Sequence, residues 1–143
     1  MNKVVRELKI KYTWEGGASF DVDLYVSDGK GIIKGLLLPD GRFLGVSRGK
    51  DSVSTEKEIS IFEGKIDLDN ENGELRLKKT YIGNRGGDIR DYMYIAKRNG
   101  KNIYFGGDIY SGSVWGSEEE ALRSDGFYYA KTRLEVIIKK TYE

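Results

Sequence analysis

The sequence predicts an all-β protein: an antiparallel up-and-down meander of about nine strands, closed or nearly closed into a β-barrel. Three observations predict it. Apolar residues recur at every second position along most of the chain, the period of a strand with one buried face. Turn residues (Gly, Asn, Asp and the single Pro) separate the runs. Several runs exceed ten residues, and long strands with bare edges invite edge-to-edge pairing, so closure is expected. A two-sheet sandwich is the alternative.

The first strand sets Leu8, Ile10, Tyr12 and Trp14 against Glu7, Lys9, Lys11 and Thr13. A second, Phe20 to Val26, sets Phe20, Val22, Leu24 and Val26 against Ser19, Asp21, Asp23 and Tyr25. A loop at Glu15-Gly16-Gly17 would pair Tyr12 with Phe20 and Lys11 with Asp21, so the apolar and charge registers coincide. The third and fourth strands, Gly31–Leu38 and Arg42–Arg48, flank a turn at Pro39-Asp40-Gly41 and carry apolar residues on both faces.

Lys57–Asp69 reads as one long strand. Ile59 and Ile61 are odd-numbered and Ile66 and Leu68 even, so a bulge is expected at Gly64. A turn at Asn70–Gly73 would then pair Ile66 with Leu77 and Leu68 with Leu75 before the strand Glu74–Ile82. The runs Ile89–Arg98 and Lys101–Ser111 meet at Asn99-Gly100, a strong hairpin signal. A two-residue loop there would set Tyr94 opposite Phe105 and Asp91 opposite Asp108. Ser117-Glu118-Glu119-Glu120 has the form of a capping box and predicts one short helix near 117–124. The last strand, Phe127–Thr141, would turn Tyr128, Ala130, Thr132, Leu134, Val136 and Ile138 inward.

The 143 residues form one domain, 1–143. There is no Cys and no His. That removes thiolate nucleophiles, Cys/His zinc sites and imidazole-based triads. With Lys+Arg 24 against Asp+Glu 23, the net charge of +1 makes nucleic acid an unexpected partner, though a local patch remains open. The charged N-terminal stretch and the short apolar runs predict neither a signal peptide nor a membrane span, so the expected location is the cytoplasm, with no membrane partner. A high charged fraction without Gln, His or Cys points to a thermophilic source.

Two features invite a functional reading. The runs on either side of Asn99-Gly100 are apolar on both faces, so Ile89, Met93, Ile95, Tyr104 and Tyr110 should be covered by the helix, by a second copy or by a partner, the first two before the third; a homo-oligomer is expected. Asp91 and Asp108, if opposed, are a candidate cation site, with a solvent-screened surface pair as the plain alternative.

The meander is generic to lipocalin-like and avidin-like barrels, with no motif of either. The leading expectation is a non-enzymatic binding barrel for a small, partly apolar ligand, lined by Tyr12, Trp14, Phe20, Tyr92, Tyr94, Phe105 and Tyr128. One alternative is a structural or interaction protein, self-assembling or virus-encoded, that uses its two-faced hairpins as an interface. The other is a carboxylate enzyme built on Asp91 and Asp108. No catalytic residue is assigned and no cofactor is expected.

Overall fold

The computed structural model describes residues 4–18, 27–51, 58–82, 92–100, 103–111 and 129–143. Eight strands cover most of them: β1 (Val5–Ala18), β2 (Ser27–Leu37), β3 (Arg42–Asp51), β4 (Glu58–Ile66), β5 (Glu74–Tyr81), β6 (Tyr92–Arg98), β7 (Tyr104–Ser111) and β8 (Tyr129–Tyr142). Each pairs antiparallel with the next, and β1 pairs with β8 to close the barrel. Closure leaves no bare edge, the expected solution for strands this long. Among the described residues no helix is long and apolar enough to cross a membrane. The expected helix near 117–124 lies outside the described residues, as do Phe20, Asp91, Tyr128 and Ile89.

Alternation decides which side chains fill the barrel. Leu8, Ile10, Tyr12 and Trp14 of β1 point inward, with Ile33 and Leu37, Phe43, Phe62 and Ile66, Leu75 and Leu77, Tyr92 and Tyr94, Phe105 and Ile109, and Leu134 and Val136 from the strands that follow. All are less than a tenth exposed. An eight-stranded barrel is just wide enough for its side chains to fill or to hold one small ligand, and here aromatic rings occupy much of the interior.

Several expected pairings are corrected. Tyr12 faces Gly31, not Phe20, and Lys11 faces Ile32, not Asp21. β1 runs straight through Gly16 and Gly17 to Ala18 instead of turning there. The reason is the bulk of Tyr12. A Cβ on the residue opposite would sit 2.5 Å from its hydroxyl oxygen, so the phenol ring needs the glycine it finds at position 31.

β4 keeps one parity throughout: Ser60, Phe62 and Ile66 are all buried, while Ile59 is 43% exposed. The pairings of β4 with both neighbours pass through Gly64 without a shift, so the expected bulge is absent. Gly64 serves a different need: a Cβ there would lie 2.0 Å from the Arg76 carbonyl oxygen of β5.

Ile66 pairs with Leu75, not Leu77. The connecting turn begins earlier than expected because the Asp67 carboxylate organises it. That carboxylate accepts hydrogen bonds from the Asp69 amide (3.0 Å), the Asn70 amide (3.3 Å) and the Asn70 side chain (2.7 Å). These bonds, the Asn70 side chain first, hold the Asp67 carboxyl below its ordinary pKa.

β6 and β7 also slide: Tyr94 faces Ile109, not Phe105, and Asp108 faces Ile95. Asn99-Gly100 begins the connection, with Gly100 at φ +68°, but the Asn99 amide reaches the Tyr104 carbonyl oxygen and the turn is longer than two residues. At the C-terminus Ile138, expected inside, pairs with the buried Leu8 but is 50% exposed, next to a bulge in the β1–β8 pairing at Glu7/Leu8. On the outer face of β6 and β7, Met93, Ile95 and Tyr104 are half-buried.

Candidate functional site

The two ends of the barrel differ. At the lower end the strands are joined through 38–41, 67–73 and 99–103. At the upper end, where β1, β3, β5 and β7 finish, the intervening sequence is 19–26, 52–57, 82–91 and 112–128. The interior is graded along the same axis. Its buried polar side chains, Ser47, Ser60, Lys79 and Thr132, all belong to the upper half.

Lys79 stands out among them. On β5 it follows Leu75 and Leu77 on the inward face, because a strand offers that face to every second residue. It is 1% exposed. Its ammonium nitrogen lies 4.8 Å from the centroids of the Trp14 and Tyr81 rings, 5.5 Å from Tyr12 and 5.7 Å from Phe62. A cation within about 6 Å of an aromatic centroid is drawn to the electron-rich face, most strongly where water is excluded. The rings hold one another. Tyr12 stacks on Trp14 with centroids 5.7 Å apart, and Phe62 stands 5.3 Å from Tyr12 and 5.2 Å from Tyr94. Tyr81 meets Tyr92 edge-on at 5.8 Å.

Two serines face each other beside this box, Ser47 on β3 and Ser60 on β4. They differ in one respect. Ser47 Oγ and Tyr12 Oη are 2.8 Å apart and share a hydrogen bond. Ser60 is completely buried, and its Oγ has no hydrogen-bond partner among the described residues. Ser60 is also opposite Tyr81 and two positions from the Phe62–Lys79 pair along the β4–β5 ladder. On β8, Thr132 donates to the Thr13 carbonyl oxygen at 2.8 Å, so its hydroxyl is engaged.

Of the aromatic residues expected to line a ligand site, Tyr12 and Trp14 stand around Lys79, Tyr94 joins through Tyr12 and Phe62, and Tyr92 joins through Tyr81. Phe105 is buried on the lower part of β7, opposite Arg98 and Leu134, away from the box. Phe20 and Tyr128 are outside the described residues. The register that would oppose Asp91 and Asp108 is not formed: Asp108 faces Ile95 on one side and Lys131 on the other, and Lys131 Nζ is 2.7 Å from its carboxylate. Among the described residues no group of three or more His, Cys, Asp or Glu is placed to hold a metal ion. Lys79, Ser60, Phe62 and Tyr81 escaped the sequence reading, although the parity shared with Leu75 and Leu77 was a signal for the first.

No family model matches the chain, and no curated protein or solved structure matches it either.

Proposed function

We propose that the protein is a non-enzymatic binding barrel for a small, partly apolar ligand that carries a negative charge. The ligand's anionic head would sit at the upper end of the interior, between Lys79 and Ser60, with its apolar body against the aromatic rings. The observation that carries this reading is the buried Ser60 hydroxyl, without a partner among the described residues, on the strand next to that of a buried ammonium boxed by four rings. Leaving a buried hydroxyl unpaired costs about 1–3 kcal/mol. A carboxylate oxygen placed there recovers that cost and meets the lysine charge. The apolar lower half gives the site a rigid floor, and preorganisation of this kind lowers the ordering cost of binding.

The test is a titration with naphthoate, an aromatic carboxylate, followed by tryptophan fluorescence, since Trp14 is part of the box. Saturable binding is expected, weakened at least roughly tenfold, or about 1.4 kcal/mol, by Lys79→Met and by replacing the carboxylate with a neutral alcohol. Equal affinity for acid and alcohol, or for wild type and Lys79→Met, would overturn the proposal.

A further inference from the structure

The outer wall carries a second feature, which meets the interior at Tyr12. A cleft of about 690 Å³ crosses β3, β2, β1, β8 and β7, with Lys11, Lys30, Arg48 and Arg133 along it. The strand registers align Arg48, Ile32, Lys11, Glu135 and Tyr104 in one row around the barrel. Lys30 and Arg133 flank Thr13 in the next row. The Arg133 guanidinium stacks on the Tyr104 ring at 4.2 Å. Among the described residues none of the four cations makes an ion pair, although several neighbouring charges do. Among the described residues Glu135 is the one acid lining the cleft. A net charge of +1 for the whole chain hides this local excess.

Next to the cleft lies an exposed aliphatic stripe. Leu36 pairs with Leu44 across β2 and β3, and Val46 pairs with Ile61 across β3 and β4. Leu44 is 59% exposed, Val46 52% and Leu36 46%. Ile32, exposed on the same face of β2 as Leu36, also lines the cleft, so the stripe and the cleft adjoin. Lys34, opposite Val46, and Lys9, opposite Lys34, add two more cations at the border, and neither makes an ion pair among the described residues.

We propose that this face docks on an anionic lipid surface, with headgroups in the cleft and the aliphatic stripe at the boundary of the acyl chains. Charge complementarity and adjoining aliphatic side chains are the two ingredients of interfacial membrane binding. A second copy of the chain fits less well, since a two-fold contact would bring unpaired cations of the same sign together. Single-stranded nucleic acid fits less well too. It needs successive aromatic platforms for its bases, and this face offers Tyr104, already covered by Arg133, beside Leu, Ile and Val. Fluid lipid also conforms to a convex barrel wall without requiring a complementary shape.

The test is co-sedimentation of the full chain with phosphatidylcholine vesicles, with and without phosphatidylglycerol. Binding is expected only to the mixed vesicles, and it should weaken as salt screens the charges. Leu44→Asp with Val46→Asp should lower the partition coefficient at least roughly tenfold, and so should Lys11→Glu with Arg48→Glu. All four side chains are on the outer wall, so unchanged thermal unfolding certifies the fold. Lys97→Glu, an exposed position on β6 outside the cleft, should leave binding intact. Equal binding to neutral vesicles, no binding at all, or an equal loss with Lys97→Glu would overturn the proposal. So would an oligouridylate that binds more tightly than vesicles and is indifferent to Leu44→Asp, which would assign the face to nucleic acid. Naphthoate titrations of the same variants should be unchanged, which separates this surface from the interior site.

Discussion

Ser47 and Ser60 are the same residue type, directly opposed on neighbouring strands and both buried, yet replacing them with alanine should change stability in opposite directions. Ser60→Ala removes a hydroxyl that was stripped of water on folding and given no partner. The penalty relieved is about 1–3 kcal/mol, offset by the contacts of one lost oxygen atom. The variant should be more stable than wild type by about 1 kcal/mol. Ser47→Ala removes the 2.8 Å hydrogen bond to Tyr12 Oη. That should cost about 1–2 kcal/mol, the worth of a buried hydrogen bond plus partial desolvation of the group left behind. Urea unfolding of the three proteins, followed by tryptophan fluorescence and fitted with a common slope, measures both changes. Ser60→Ala should also weaken naphthoate binding while it stabilises the free protein, the trade expected where a functional group is kept at the expense of stability. A Ser60→Ala variant destabilised by more than about 1 kcal/mol would refute the reasoning, because the hydroxyl would then be earning its place in the folded state.

Three further predictions concern the barrel itself. Phe62→Ala should cost about 3–5 kcal/mol in urea unfolding, because Phe62 is fully buried between Tyr12 and Tyr94, whereas Ile59→Ala on the outer face of the same strand should cost well under 1 kcal/mol. Gly64→Ala should lower the melting temperature, since its Cβ would overlap the Arg76 carbonyl oxygen and force β4 and β5 apart. Asp67→Ala should cost about 1 kcal/mol at neutral pH, a modest value because the turn is solvated. The Asp67 carboxyl titrates below its ordinary range in the folded protein. Its contribution is therefore complete above the ordinary aspartate pKa and is lost as the pH falls through the lowered one, so wild type and Asp67→Ala should converge in acid.

How far the sequence could be read follows from the physics of the strand. A period of two assigns each side chain to a face, and that assignment survives for Leu8 to Trp14, for Leu75 and Leu77, for Tyr92 and Tyr94, and for Ala130 to Val136. The same period is blind to an even slide. Moving Ile66 from Leu77 to Leu75 keeps every inward residue inward, so alternation alone cannot distinguish the two pairings. The distinction lay in the Asp67 side chain, whose bonds to the Asp69 and Asn70 amides lengthen the turn, and in the longer connection after Asn99-Gly100.

Glycines were ambiguous for a related reason. Gly16-Gly17 resembled a turn and lies within β1, while Gly64 resembled a bulge and instead admits a close approach of β5. The partner of β1 was decided by the fit of Tyr12 over Gly31, a contact between strands that neither strand's own pattern contains. The candidate site was legible in two of its four rings, Tyr12 and Trp14, and not in Phe62, Tyr81 or its cation. Lys79 has inward parity, but a charge in a strand is ordinarily read as outward. Its burial depends on Trp14, Tyr12, Phe62 and Tyr81 converging from three strands, which only the closed barrel brings about.

The central claim is that Lys79 is the cation that recognises the ligand, and the NMR spectrum of protein with carbon-labelled lysine side chains tests it most directly. Four rings within 5.7 Å of the ammonium nitrogen should shift the neighbouring methylene signals of one lysine far upfield of all the others. That signal should vanish in Lys79→Met, and naphthoate should move it at saturable concentrations while the surface lysines stay still. A spectrum with no upfield-shifted lysine, or naphthoate moving only the surface lysines, would contradict the account.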